Sequence, residues 1–252
     1  MVKKFKKEWD ELRLFFTGDT HIPYDIHKLN SKNFPLGKEL TKQDVVVICG
    51  DFGGVWQDDK EERFWLSWLE GKPWTTVFVD GNHECFPRLY DLEEQFWNGG
   101  KVGVVRPSIF HLKRGECYAF PNHISLFALG GAVSRDKHLR TEGVNWWKEE
   151  LPSEQELNYA RTQLDEANWK ADLIVTHDAP LPILRTLNLE ADRTLFATFL
   201  NELVVRGEFR YWFNGHLHQD VIVAEKYVSL YQEIIEVVKT DDTFKLIPCN
   251  NL

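Results

Sequence analysis

The amino-acid sequence predicts an α+β fold in which two mixed β-sheets pack face to face and helices cover the outside. In the first part of the 252-residue chain, short apolar runs alternate with helical segments, and in the later part the strands follow one another as in hairpins. Helices that cover sheets in this way bury the apolar face of each layer against the next. A chain of this length can bury one substantial core, so we expect residues 1–252 to form a single domain.

Short runs rich in β-branched and aromatic residues, bounded by turn residues, predict buried strands. They lie at 12–16, 44–49, 74–79, 123–129, 171–176 and 209–214. Further strands are expected within 108–120 and 220–247, and Gly115 is expected in a hairpin turn between two of them.

Four segments have the pattern of helices. They lie at 59–70, 86–97, 153–169 and 192–206. The third has the clearest start, because Ser153 is followed three residues later by Glu156, which is the spacing of a capping box.

Composition and charge restrict the class of protein. Apolar residues make up 43% and charged residues 27% of the chain, as in globular proteins. No apolar stretch approaches the ~20 residues of a membrane span. The net charge of −9 disfavours an extended nucleic-acid surface, which depends on basic residues. It does not exclude a phosphate substrate, because bound divalent cations would dominate the local field.

Cysteine spacing and the N-terminal segment bear on the compartment. The four cysteines are widely spaced and contain no CxxC pair, which argues against a zinc ribbon or a disulfide framework. Residues 1–9 are basic and lack the apolar core of a signal peptide, so we expect a solvated basic tip. These features favour the cytoplasm.

Five of the apolar runs end in a small residue followed by Asp, Asn or His. Open sheets build their sites at the carboxyl ends of strands, so we expect these side chains to meet at one place. Two Asp, one Asn and four His together suit hard-to-borderline divalent metals. The candidate ligands are Asp19, His21, Asp51, Asn82, His177, His216 and His218.

The order Gly-Asp-x-His, Gly-Asp, Gly-Asn-His-Glu, Thr-His and Gly-His-x-His, from Asp19 to His218, resembles the calcineurin-like metallophosphoesterase superfamily. The resemblance implies a four-layer α/β/β/α sandwich and a centre of two divalent metal ions, with Mn, Fe or Zn as the candidates. For one ion the implied ligands are Asp19, His21 and His218. For the other they are Asn82, His177 and His216, with Asp51 bridging both.

The same resemblance implies hydrolysis of a small phosphomonoester or phosphodiester, a nucleotide included, by a hydroxide held between the metals. His83, which follows Asn82, would protonate the leaving oxygen, and the alternative role for it is a hydrogen bond that supports Asn82. Two other functions stay open. One is a nuclease or cyclic-nucleotide phosphodiesterase on the same centre, and the other is a non-catalytic scaffold for protein interaction.

Two positions depart from the protein Ser/Thr phosphatases of this superfamily. Gly54 stands where their second motif has a second Asp, and Asp80 stands where an Arg commonly precedes Gly-Asn-His-Glu. These departures, together with the Gly-Gly-Ala-Val-Ser-Arg segment that begins at Gly130, point to a small bacterial or phage-type branch.

Residues 130–147 resemble a loop that many small bacterial members hold over the metal site. Arg135, Lys137 and Arg140 are candidate phosphate contacts, with Trp146 or Trp147 as a stacking surface. The alternative, a solvated basic face beside core tryptophans, stays open. The remaining histidines lack ligand spacing, so we expect His27, His111, His123 and His138 to be structural or surface residues.

Overall fold

A computed structural model describes residues 12–121, 123–241 and 243–250, so the expected basic tip at 1–9 lies outside the described residues. Within these ranges the strands are β1 (Leu14–Thr17), β2 (Val45–Ile48), β3 (Thr75–Phe78), β4 (Glu93–Trp97), β5 (Gly100–Arg106), β6 (Ile109–Leu112), β7 (Glu116–Ala119), β8 (Ser125–Leu129), β9 (Leu173–Thr176), β10 (Tyr211–Asn214), β11 (Val221–Val223), β12 (Tyr227–Ser229), β13 (Ile234–Thr240) and β14 (Thr243–Pro248). The α-helices are α1 (Lys60–Glu70), α2 (Phe86–Tyr90), α3 (Glu154–Glu166), α4 (Leu181–Thr186) and α5 (Leu195–Arg206).

The strands form two mixed sheets. The larger sheet has the order β14-β13-β1-β2-β3-β6-β5-β4, and its central strands β1, β2, β3 and β6 are parallel. The smaller sheet has the order β11-β12-β10-β9-β8-β7, and its strands β12, β10, β9 and β8 are parallel. Antiparallel strands complete both edges of each sheet.

Three apolar clusters define four layers. The middle cluster lies between the sheets, where Phe16 of β1 and Phe213 of β10 stack with ring centroids 3.9 Å apart. On the outer face of the larger sheet, Phe15 packs in a cluster with Leu66 of α1. On the outer face of the smaller sheet, α3, α4 and α5 pack together, with Phe199 of α5 at the centre. This confirms the predicted sandwich of two sheets between helical layers.

Most of the predicted elements are confirmed. The six strand runs correspond to β1, β2, β3, β8, β9 and β10, and three of the helical segments correspond to α1, α3 and α5. The capping box is present at the start of α3, where Ser153 accepts from the backbone N–H of Glu156 and the Glu156 carboxylate accepts from that of Ser153. The strands expected within 220–247 are β11 to β14. Helix α4 was not predicted.

The helix predicted over 86–97 is wrong in its second half. Helix α2 ends at Tyr90, and β4 follows and pairs with β5 across the dipeptide Asn98-Gly99. Both residues have positive φ, +48° and +88°, as a tight hairpin turn between twisted strands requires. The dipeptide Asn98-Gly99 was therefore the feature of the sequence that indicated the hairpin of β4 and β5.

The hairpin predicted at Gly115 is also wrong. Strand β6 belongs to the larger sheet and β7 to the smaller one, so residues 113–115 cross from one sheet to the other. Gly115 has φ +80°, which fits a tight turn, and its N–H donates to the carbonyl of Ala128 in the smaller sheet. A sharp turn is visible in sequence, but the sheet to which each flanking strand belongs is not.

No helix in the part of the chain that the structure describes is both long and apolar enough to cross a bilayer.

Candidate metal centre

The carboxyl ends of five strands meet at one edge of the sandwich. Strands β1, β2 and β3 are parallel neighbours in the larger sheet, and β9 and β10 are parallel neighbours in the smaller one. The loops that follow them carry all seven predicted ligands, which lie close together: Asp19, His21, Asp51, Asn82, His177, His216 and His218.

Asp19 is the centre of the first group. Its carboxylate is completely buried, and Oδ2 lies 3.0 Å from Nε2 of His218 and 4.0 Å from Nε2 of His21. Despite this proximity, Oδ2 of Asp19 receives no hydrogen bond of normal geometry from any described group. A buried carboxylate oxygen without a donor is costly, and a cation would satisfy it.

Asp51 faces both groups of histidines. Its Oδ2 lies 3.2 Å from Nε2 of His21, while its Oδ1 lies 3.3 Å from Nε2 of His177. The backbone N–H of His83 donates to Oδ1 at 2.8 Å, which fixes the carboxylate in this orientation. Each carboxylate oxygen is thus directed to a different side of the cluster, as a bridging ligand requires.

The second group surrounds His177. Nδ1 of His177 lies 2.8 Å from the carbonyl oxygen of Cys49, which accepts its proton and leaves Nε2 facing the cluster, 3.1 Å from Oδ1 of Asn82. The amide nitrogen of Asn82 donates to Ser134 Oγ at 3.1 Å, so its carbonyl oxygen is the atom presented to the site. The His216 ring lies 5.0 Å from that of His177.

Four of the ligand-type residues have strained backbones. His21, Asp51, His216 and His218 have φ values of +33°, +45°, +65° and +50°. L-residues with side chains of this size rarely adopt such angles, and strained positions concentrate at functional sites. The turn at Gly81 is also sterically required, since a Cβ there would collide with Oδ1 of Asp51.

The electrostatics of the cluster favour a positive charge. Burial opposes protonation of His177, but the carboxylates of Asp51 and Asp19 outweigh it and raise its pKa to about 10. Burial and the neighbouring His177 lower the pKa of His216 to about 3. Two buried carboxylates therefore attract cationic charge, while at least one imidazole is neutral and free to act as a ligand. The donor set fits divalent cations.

Several residues that sequence reasoning missed support this centre. Asp25 lies 2.9 Å from Nδ1 of His21 and accepts from the hydroxyl of Tyr231, whose ring stacks on His218 at 4.6 Å. The buried amine of Lys28 donates to the backbone oxygen of Asp19 at 2.6 Å. The position of Asp25, four residues after His21, was a weak signal for its role. Lys28 contacts backbone oxygens, so no residue pattern could have indicated it.

Asp80, at the position where relatives commonly have Arg, is a structural residue. Its buried carboxylate accepts from Nε and Nη2 of Arg114 at 3.0 and 2.6 Å and lies 3.0 Å from Nε2 of His111. Its backbone oxygen accepts from the N–H of Gly131 at 2.9 Å. Asp80 therefore joins the loop that carries Asn82 to the loop after β8.

The loop of residues 130–147 reaches the site through Ser134, which accepts from the Asn82 amide, and through Arg140. Nη2 of Arg140 lies 3.5 Å from Nε2 of His83, and Arg140 is ion-paired with Asp136 at 2.7 Å. Arg135 is exposed, and its charge contributes to the low pKa of His216. Lys137 is exposed.

The two tryptophans of this loop have different surroundings. Trp146 is half-buried and its backbone bridges to Glu142, whereas Trp147 is buried and packs edge-on against Trp56 at 5.6 Å. Trp147 thus has the core position that the alternative interpretation gave to these residues. It also holds the loop against the segment after β2.

An open cavity of about 610 Å³ lies beside the cluster. His21 and His83 line it together with Arg140, and Tyr24 and Trp56 contribute aromatic walls. A ligand in this cavity would lie against the imidazole of His83.

Carboxylate, amide and imidazole ligands gathered at the carboxyl edge of two facing sheets are the arrangement of a divalent-metal enzyme. Residues 12–220, which are more than half of the chain, match the family model described as calcineurin-like phosphoesterase. The chain therefore belongs to the calcineurin-like phosphoesterase family. This defines the domain as one of the metal-dependent hydrolases that act on phosphoester bonds.

Individual relatives are distant. The chain is 21% identical to lariat debranching enzyme A of Xenopus laevis over 241 residues, covering 84% of this chain and 44% of that protein. It is 24% identical to the lariat debranching enzyme of Arabidopsis thaliana over 210 residues, covering 71% of this chain and 48% of that protein. The chain thus spans about half the length of these curated relatives.

A solved structure, the sulfate thiohydrolase SoxB of Thermus thermophilus in complex with glycerol, aligns with a TM-score of 0.40 and 13% identity. The alignment covers 82% of this chain and 39% of that chain. This similarity is too low to support any statement about activity.

Proposed function

We propose that this domain hydrolyses a phosphomonoester or phosphodiester at a dinuclear metal centre, with His83 donating a proton to the leaving oxygen. The observation that carries the proposal is the orientation of Asp51, whose two carboxylate oxygens face His21 on one side and His177 on the other at 3.2 and 3.3 Å. A carboxylate held in this way suits two cations ~3.5–4 Å apart, which is the usual spacing of two-metal hydrolases.

The chain offers a separate set of donors on each side of Asp51. One side has Asp19, His21 and His218, and the other has Asn82, His177 and His216. Nitrogen and oxygen ligands without a thiolate suit Mn²⁺, Fe or Zn²⁺. When bound, such ions supply Lewis-acid stabilisation of phosphoryl charge and a lowered pKa for a coordinated water.

His83 is placed to act on the leaving group. Its ring lines the cavity beside His21, and burial lowers its pKa. The alternative role, support of Asn82, is already filled by Ser134, which accepts from the Asn82 amide. An imidazolium with a lowered pKa is a stronger acid toward a departing alkoxide.

The charged residues near His83 are candidates for holding the phosphoryl group. Arg140 comes first because its guanidinium lies beside the imidazole. Arg135, Lys137 and Trp146 are further candidates from the same loop. An arginine binds two phosphoryl oxygens at once, so it also orients the group for in-line attack.

The substrate is proposed to be small. The two relatives named lariat debranching enzymes favour a phosphodiester, including a nuclease-type reaction on the same centre. The net charge of −9 argues against a large nucleic-acid footprint. A purely scaffolding role is disfavoured because all seven ligand-type residues and His83 are present and gathered together.

We also propose that the protein acts in a reducing compartment, the cytoplasm. Residues 1–252 are proposed to form one domain. All four cysteines lie among the described residues and are free thiols, which is typical of reducing compartments.

Hydrolysis of p-nitrophenyl phosphate and bis-p-nitrophenyl phosphate, measured with and without added Mn²⁺, Fe²⁺ or Zn²⁺, tests this function. We expect metal-dependent hydrolysis of at least one ester, and the ratio of the two rates gives the mono- or diesterase preference. Hydrolysis that persists unchanged after chelation, or no hydrolysis by metal-loaded protein, would contradict the proposal.

For the proton donor, His83→Ala is expected to lower kcat by ~10²–10⁴-fold with unchanged metal content. The loss should be smaller for esters with acidic leaving groups, such as p-nitrophenol, than for alkyl esters, because a good leaving group needs little protonation. Steady-state kinetics on both ester types checks this, with His138→Ala as the matched control. An equal loss on both types would assign His83 a structural role instead.

For the phosphate contact, Arg140→Ala is expected to lower kcat/KM by about 10- to 150-fold, since a charge-assisted hydrogen bond contributes roughly 1.5–3 kcal/mol. Arg210→Ala is the matched control, because Arg210 is exposed at the amino end of β10, the end opposite to the site. An unchanged kcat/KM in Arg140→Ala would remove this residue from the substrate site.

A further inference from the structure

We infer that the cavity beside His83 is the leaving-group subsite and that it selects a nucleoside whose base presents adjacent N–H donors, guanine above all. The inference rests on the proposed function, because it takes His83 as the proton donor. It names the class of substrate as a phosphate ester with a guanine nucleoside on the leaving oxygen.

The position of the cavity determines which part of a substrate enters it. A general acid must lie within hydrogen-bond reach of the oxygen that it protonates, so the leaving group must lie against His83. The cavity of about 610 Å³ is lined by His83 and His21 and also by Trp56. Its volume falls within the ~300–1,000 Å³ of small-molecule sites. The leaving group is therefore the part that occupies it.

The walls of the cavity suit a flat ring. Trp56 is half-buried and is held by the edge-on contact with Trp147. Tyr24 is 80% exposed at the mouth, which is unusual for so large an aromatic side chain. Aromatic side chains at the surface of a pocket bind nucleobases by stacking, whatever the base. Stacking alone would therefore admit any nucleoside.

The backbone that carries Trp56 is rigid. Oε2 of Glu62 accepts the N–H groups of Trp56, Gln57 and Asp58 at 2.6, 2.7 and 3.0 Å. The other oxygen of Glu62 accepts from Arg88 at 2.8 Å. Both carboxylate oxygens of Glu62 therefore accept hydrogen bonds from the protein, so Glu62 is not available to a ligand.

Two other carboxylates that line the cavity, those of Asp59 and Glu61, remain available. Asp59 uses Oδ1 to cap helix α1 through the N–H of Glu62, which leaves Oδ2. Glu61, which is exposed, has no ion-pair or hydrogen-bond partner among the residues that the structure describes. The positive charge of Arg140 lies beside His83 and is paired with Asp136.

Ionised carboxylates can only accept hydrogen bonds, so this wall discriminates between base edges. Guanine presents two neighbouring N–H donors that match the two oxygens of one carboxylate. Uracil presents a single N–H between two carbonyl oxygens, which the carboxylates repel. A second phosphate on the leaving group would meet the same repulsion. The subsite therefore favours a guanine nucleoside over a uracil nucleoside and over a nucleoside polyphosphate.

Isothermal titration of the Mn²⁺-loaded protein with guanosine and with uridine tests the inference, together with inhibition of bis-p-nitrophenyl phosphate hydrolysis by each. We expect guanosine to bind about tenfold more tightly than uridine, the discrimination typical of a paired base edge. In Asp59→Asn/Glu61→Gln this ratio should fall to about one, while uridine binding is retained. The Asn retains the helix cap, and Glu93→Gln on β4 is the matched control.

The outcomes separate the two claims. Equal binding of guanosine and uridine, or a preference that persists in the double variant, would overturn the subsite while ester hydrolysis still supports the proposed function. If the protein hydrolyses no ester but prefers guanosine, and the double variant loses this preference, the result would support the subsite and overturn the proposed function.

Discussion

Asp51→Asn is expected to lower kcat/KM for any accepted phosphate ester by about 10³-fold or more. Metal ions contribute several kcal/mol to stabilising phosphoryl transition states, and each ~1.4 kcal/mol corresponds to tenfold in rate. The amide has one acceptor oxygen where the carboxylate has two, so it cannot face both His21 and His177 as ligands to two ions.

Kinetics and metal content of the purified variant check this together. The substitution is isosteric, and Asp44→Asn serves as control because Asp44 is a buried carboxylate that hydrogen-bonds to backbone N–H groups away from the site. Folding is monitored by thermal denaturation of both variants. Retention of more than a tenth of the wild-type kcat/KM in Asp51→Asn would contradict the bridging role.

Arg114→Met is expected to lower the free energy of unfolding by about 3–5 kcal/mol, the typical cost of breaking a buried ion pair. Arg114 and Asp80 are both buried, and the guanidinium makes two hydrogen bonds to the carboxylate. Burial opposes ionisation of Asp80, but Arg114 and then His111 hold its pKa well below the usual range. Without Arg114, a buried negative charge loses its main partner.

Denaturant unfolding of the single and double variants measures this effect. The double variant Asp80→Asn/Arg114→Met should be more stable than Arg114→Met alone, because the uncompensated charge is then removed. Arg161→Met is the matched control, since the Arg161–Glu202 ion pair is partly exposed, unlike the buried Arg114–Asp80 pair. Equal destabilisation by Arg114→Met with and without Asp80→Asn would show that the pair is not the source of the loss.

The candidate ligands could be predicted from sequence because each follows a strand directly. The apolar run of a strand such as β1 is visible in the sequence. Because the carboxyl ends of parallel strands lie at one edge of a sheet, Asp19 and Asp51 were expected to lie close together. The family resemblance added the pairing of ligands with ions, which stays a prediction, and the structure shows Asp51 between His21 and His177.

The supporting residues could not be predicted in the same way. Lys28 and Tyr231 reach the site from a 3-10 turn and from the loop before β13, two segments about 200 residues apart in the chain. The role of Asp80 depends on Arg114, which lies on the crossing between the sheets that sequence reasoning interpreted as a hairpin. Contacts between distant segments depend on strand order, and strand order is not encoded locally.

A dinuclear centre bridged by Asp51 is tested most directly by metal content. We would measure it by mass spectrometry across a Mn²⁺ titration of metal-free protein, with hydrolysis measured at each point. We expect saturation at about two ions per chain, with full activity reached only at the second equivalent, and loss of this behaviour in Asp51→Asn. Saturation of both metal content and activity at one ion per chain would contradict it.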